Sequence, residues 1–247
     1  MPYYYVLGAV LFAMIAFAMY LYIPILQAQV IGKSLVAQSR AYTQTPEHST
    51  MKILVIGDST AVGTGAPFGK SVAGYIGKDF PSATLVNDSK NGMKLEEFLT
   101  RLKQHKGEKY DLVVFQIGGN DIVGLTPPSE IQSLLLQALG VSDTIASTTI
   151  VVCSGNVGLA PAFKWPLSLL YEERSRDVFH RYAQTVKEYP SAHYVDLYRN
   201  RSDDIFLTDI PKYYAPDLFH PSGDGYAVWY TEIRKTINDS LKIPAST

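Results

Sequence analysis

The sequence predicts an α/β fold, a parallel sheet covered by helices on both faces and preceded by one transmembrane helix. Three observations carry that reading. After residue 50, short apolar runs bounded by turn residues alternate with stretches whose apolar residues fall at helical spacing, which argues successive βαβ units and therefore parallel strands. No charged residue occurs from Tyr3 to Leu26, a run rich in Ala, Leu, Ile, Met and Phe. The first strand ends abruptly in Gly57-Asp58-Ser59, a turn at the edge where such sheets carry their chemistry.

In chain order, the apolar run comes first. As a helix, residues 3–26 would measure about 36 Å, enough to cross a hydrocarbon core of about 30 Å with some tilt. Tyr3, Tyr4, Tyr5, Tyr20 and Tyr22 bracket it, as interfacial belts do. The run is too long for a signal-peptide core, no basic residue precedes it, and Leu26-Gln27-Ala28 makes a poor cleavage site, so an uncleaved anchor is the expectation. Residues 1–28 are thus read as a transmembrane signal anchor, 29–50 as a polar tether and 51–247 as the folded domain. Lys33 and Arg40 follow the span, a charge pattern that by itself favours a cytoplasmic domain.

Strands are expected at 52–56, Thr84–Asn87, Leu112–Ile117, Thr149–Cys153 and His193–Asp196. Helices are expected at Ser71–Phe80, Lys94–Lys106, from Thr126 through Leu139, Glu172–Tyr189, and from Ser222 to about Leu241. Leu95, Phe98, Leu99 and Leu102 make one apolar stripe; Val178, Tyr182, Val186 and Tyr189 make another. Ser222 is a natural N-cap, and Asp224 suits the positive end of the last helix. At 247 residues, 47% hydrophobic and 18% charged, the chain fits one sizeable domain beyond its anchor.

Composition also narrows the partners. A net charge of -1 and the lack of a basic stripe argue against nucleic acid. The single cysteine, Cys153, excludes an internal disulfide and lies in an apolar run as a buried structural thiol would. The five histidines stand far apart, with no metal-ligand spacing, so neither a metal nor another cofactor is expected.

Three loops follow strands at one sheet edge: the Ser59 turn, Asn87 to Gly92, and Gly118-Gly119-Asn120-Asp121. A serine needs a base within hydrogen-bond reach, itself oriented by a third group. His220, in Asp217-Leu218-Phe219-His220 just before the last helix, is the best placed base, and Asp217 could fix its tautomer. His48 falls in the tether, His105 and His180 on helix patterns, and His193 at the start of a strand. Donors for a developing oxyanion are available in the Ser59 N–H, the Gly92 N–H and the Asn120 amide.

Taken together, these residues resemble the SGNH (GDSL-type) hydrolase family, whose Gly-Asp-Ser, glycine, Gly-x-Asn-Asp and Asp-x-x-His blocks occur in this order. The resemblance spans residues 52 to about 235. It implies a flavodoxin-like three-layer α/β/α sandwich with a five-stranded parallel sheet, Ser59 as nucleophile, His220 as base, Asp217 orienting it, and Ser59, Gly92 and Asn120 as the oxyanion hole. Thr60 stands where the family name has leucine, and Ser89 where the second block often has glycine. Neither change removes a catalytic group.

The function this implies is a membrane-anchored serine esterase acting on a lipid, an acylated glycan or a small ester; because envelope substrates and a tethered hydrolase fit together, its domain is expected on the extracytoplasmic side, against the charge pattern. An acyltransferase would use the same triad, and a non-catalytic tethered binding module would use the same fold. Thr64 to Ser71 nearly spells a phosphate-binding loop but has Thr64 where that motif needs glycine, and Lys70-Ser71 reads better as a helix start. Leu159 to Leu167 follows the fourth strand at the loop edge, where it could wall an acyl pocket. Oligomeric state is left open.

Overall fold

The computed structural model describes residues 2–243; residues 1 and 244–247, at the ends of the expected anchor and catalytic domain, lie outside the described residues. In order, the elements are α1 (Pro2–Gln38), β1 (Met51–Gly57), α2 (Ser59–Val62), α3 (Val72–Asp79), β2 (Ala83–Asn87), α4 (Leu95–Gln104), β3 (Tyr110–Gln116), α5 (Gly119–Val123), α6 (Pro128–Ile145), β4 (Ala146–Val152), α7 (Leu167–Val186), β5 (Ala192–Val195), α8 (Ile210–Tyr213) and α9 (Gly223–Leu241). The five strands form one parallel sheet in the order β2-β1-β3-β4-β5. That order reverses direction between β1 and β3, so the crevice beyond their carboxyl ends is where such a sheet builds its site.

Ile53, Leu54, Val55 and Ile56 are fully buried, as a central strand covered on both faces requires. Each contributes roughly 1.5–3 kcal/mol through burial. Helices α3 and α9 pair on one face of the sheet, and α4, α6 and α7 pack together on the other. The stripe Leu95, Phe98, Leu99 and Leu102 is buried, with Phe98 edge-on to Phe115 of β3. Ser71 caps α3 by accepting from Gly74 N, and Ser222 caps α9 by accepting from Gly225 N. Thus Lys70-Ser71 is a helix start.

Two short helices stand where loops were expected, α2 directly after Asp58 and α5 from Gly119 to Val123. Asp58 caps α2 by accepting from Thr60 N, which makes a helical turn the cheapest use of the free donors. Helix α7 begins at Leu167, before the expected Glu172, because Leu167-Ser168-Leu169-Leu170 continues the helical run.

Helix α1 is long and apolar enough to cross a bilayer. It continues past residue 28 to Gln38, and along its C-terminal half a single stripe turns toward the body: Leu21, Pro24, Ile25, Ala28 and Leu35 are half-buried and Gly32 is buried. Beyond it, Gln44 exchanges backbone hydrogen bonds with Leu85 at 3.0 and 2.9 Å. Its side-chain amide also donates to the carbonyls of Phe80 and Ala83. This segment covers the exposed edge of β2 and fixes where the helix leaves the domain.

Candidate active site

Ser59 opens α2 at the end of β1. Gly57 is required there, because a side chain's first carbon would stand 2.0 Å from the Gln116 carbonyl oxygen of β3. The close approach lets Asp58 N donate to that same oxygen at 3.0 Å and turns the chain so that Ser59 emerges at the sheet edge. Just after β3, Gly118 adopts φ 123, a conformation that favours glycine, and a side chain there would meet the Tyr182 hydroxyl. Asn120 follows in the first turn of α5.

The third contribution comes from the loop before α9. Asp217 Oδ1 accepts from Phe219 N and His220 N at 3.1 and 3.0 Å, closing a tight turn that aims the imidazole back at its own carboxylate. His220 Nδ1 donates to Asp217 Oδ2 at 2.5 Å. With that nitrogen protonated, Nε2 is the acceptor, and Ser59 Oγ lies 2.9 Å from it. Tyr226 of α9 donates to the Thr64 carbonyl at 2.9 Å, holding the histidine loop against the serine loop. All three triad side chains are nearly buried, at 7, 2 and 8% exposure for Ser59, Asp217 and His220.

Two carboxylates flank this chain of hydrogen bonds in different states. Burial pushes Asp217 up, but its bonds and charge interaction with His220, together with the backbone donors, outweigh that and hold it below its ordinary value. For Asp58 burial prevails over the two Thr60 donors, and its carboxyl is pushed up to about 6.

Of the expected oxyanion donors, Ser59 and Asn120 line one cleft with His220, a cavity of about 290 Å³. Asn120 Nδ2 donates to the Met93 carbonyl at 3.1 Å, which leaves its second hydrogen for the cleft. Gly92 does not line that cleft. It sits in a left-handed turn at φ 75, and the adjacent Asn91 accepts from Thr64 Oγ1 at 2.6 Å, tying this loop to the serine loop.

A model of the GDSL-like lipase/acylhydrolase family matches residues 55–228. The chain belongs to that family. As a GDSL-like hydrolase it is a serine enzyme acting on ester bonds, and its sheet and helices are those of the SGNH fold. It is similar to YpmR of Bacillus subtilis (strain 168), itself uncharacterized, with 26% identity over 226 residues, covering 81% of this chain and 84% of YpmR. Among solved structures it resembles the lipase Lip_vut3 from a goat rumen metagenome, at TM-score 0.59 and 19% identity, over 76% of this chain and 97% of that one. It also resembles a family 3 carbohydrate esterase of Clostridium thermocellum, at TM-score 0.58 and 18% identity, over 79% and 99% of the two chains. These two likenesses show a shared fold.

The cleft of this GDSL-like hydrolase is walled by residues that the motifs did not name. Val157, Leu197, Phe206 and Trp229 supply apolar surface, and Ser154 and Arg199 supply polar groups. Ser154, Gly155 and Asn156 follow β4 at the same edge as the other loops, so the rule that located Ser59 also reaches them. Of the segment Leu159 to Leu167, Ala160 lines the cleft, while Phe163 packs on Phe219 behind it, with ring centroids 5.7 Å apart. Cys153 is buried, its thiol pushed up to about 11 by burial, and its sulfur accepts from Leu197 N, a structural role.

Proposed function

We propose that this protein is a membrane-anchored serine esterase that cleaves carboxylic esters through an acyl-enzyme on Ser59. The observation that carries the reading is the unbroken hydrogen-bond chain from Ser59 through His220 to Asp217. His220 takes the serine proton as Ser59 Oγ attacks the carbonyl carbon, and Asp217 stabilises the imidazolium that forms. The Ser59 N–H and the free Asn120 amide hydrogen receive the developing oxyanion. His220 then protonates the leaving alcohol. Water, deprotonated by the same imidazole, releases the acid and restores Ser59.

Residues 3–26 form the anchor, and the catalytic domain from residue 51 stands on the extracytoplasmic side, where lipids and acylated envelope glycans meet a tethered hydrolase. The apolar wall of the cleft suits an acyl group and the polar end near Arg199 an alcohol portion. The test is hydrolysis of p-nitrophenyl esters of graded chain length by the full chain in detergent, beside Ser59→Ala and His220→Ala. Release of free acid by the wild type alone is expected. Undiminished turnover by the serine variant would end the assignment, and preferential transfer to an added alcohol would make the enzyme an acyltransferase.

A further inference from the structure

From its middle onward, α1 does not stand clear of the domain. Phe17, inside the charge-free run, meets the ring of Trp165 edge-on at 6.5 Å and also stacks near Tyr20. Trp165 is 60% exposed, and Leu169 and Leu170, on the first turn of α7, are 49 and 45% exposed. Three large apolar side chains thus project beside a helix segment that the anchor reading puts in or at the bilayer. Counting along the helix, Tyr3 to Tyr22 measures about 30 Å, the thickness of the hydrocarbon core. Tyr20 and Tyr22 then mark the interface on the domain side, and Trp165 sits against Phe17, about one helical turn inside it.

From this continuity we infer that the corner formed by Trp165, Leu169 and Leu170 is a bilayer-contacting surface that holds the cleft against the membrane, so that the ester reaching Ser59 is carried by an amphiphile in the same leaflet. The inference rests on the membrane-anchored esterase reading and deepens it. The corner connects to the cleft through Tyr171, next to Leu170 on α7: Phe163 packs on Tyr171 and on Phe219, with ring centroids 4.6 and 5.7 Å apart, and Phe219 lines the cleft against the His220 ring at 5.1 Å. On the other side, α1 lays Gly32 against Asp217, whose Oδ2 would lie 3.4 Å from the first carbon of a side chain there. The anchor, the corner and the triad are therefore one packed unit, and a lipid needs no passage through bulk water to reach the cleft.

Full-length chain in phosphatidylcholine and phosphatidylglycerol vesicles tests this. The protein has two tryptophans, and Trp229 is buried in the cleft wall, so bromination of the lipid acyl chains is expected to quench wild-type emission strongly and Trp165→Phe emission far less. Replacing Trp165, Leu169 and Leu170 together by serine is expected to slow hydrolysis of vesicle-borne 4-methylumbelliferyl oleate by roughly tenfold or more, given the apolar burial lost. Soluble p-nitrophenyl acetate should be turned over as before. A wild-type chain that floats with the vesicles yet shows no quenching of Trp165 would overturn the surface, as would a cross-linked dimer that covers it. Equal loss on both esters, or on neither, would overturn the delivery of substrate from the leaflet. If the wild type hydrolysed no p-nitrophenyl acetate, the esterase reading would fall and the substrate half of the inference with it, while quenching alone would still decide the surface.

Discussion

Two loops meet at Ser59, and each carries an almost fully buried aspartate. In the loop after β1, Asp58 accepts through one oxygen from Thr60 N and Thr60 Oγ1, and burial leaves its carboxyl high, at about 6. In the loop before α9, Asp217 accepts from two backbone N–H groups and the His220 ring, and stays ionised. The two are equally hidden from water, at 2% exposure each. Beyond that shared lack of surface exposure, what separates them is how deeply protein encloses each carboxyl and the number and charge of its donors. Asp217 has the partners that make a permanent anion worthwhile beside an imidazole, whereas Asp58 is a helix cap that tolerates burial by holding a proton readily.

Substitutions can break that contrast. Ser59→Ala and His220→Ala should each lower kcat by about 10⁴-fold or more, because triad members act as a unit. Asp217→Asn should follow, with a loss of roughly 10²–10⁴-fold as the imidazole loses its anionic partner. Asp58→Asn keeps the oxygen that caps α2 and should leave the rate nearly unchanged; a loss as large as that of Asp217→Asn would erase the distinction between the loops. Asn120→Ala should cost about 10²-fold in kcat with little change in KM, as expected for a donor used in the transition state.

The remaining effects are on stability. Burial holds Asp58 at about 6 in the folded protein, against about 3.9 in an unfolded chain. Between those values the native state binds a proton that the unfolded state does not, so stability falls as pH rises through the window and the penalty is complete above it. Asp58→Asn removes that penalty. Its Tm at pH 7 should exceed that of the wild type, and the difference should shrink as pH approaches 4, which calorimetry across the range would measure. The smallest change is expected from Gly32→Ala, whose added carbon reaches only ordinary contact distance from Asp217. Gly32→Leu should press α1 off the carboxylate and lower kcat, and ester assays on both variants would separate them.

The sheet was legible because its strands are nearly unbroken apolar runs ending in turn residues, as at Ile53 to Gly57, and Ser222 announced α9 through its cap. The grouping of Ser59, His220 and Asp217 was legible for a different reason: three loops could be assigned to one sheet edge and a fourth, carrying His220, leads straight into the last helix. Short helices such as α2 and α5 were not, since four or five residues show no period. Nor was the packing of α1 on Asp217, because nothing near Gly32 in the sequence points to a carboxylate so far along the chain. The cleft wall was only partly legible, since Phe206 and Trp229 come from segments whose loops must fold back before they meet Ser59.

Intact-mass analysis after exposure to a fluorophosphonate tests the central claim most directly. One covalent adduct should form on the wild type, on the peptide containing Ser59, slowly on Asp217→Asn and not at all on Ser59→Ala. Labelling of the Ser59→Ala protein at the wild-type rate would contradict the account.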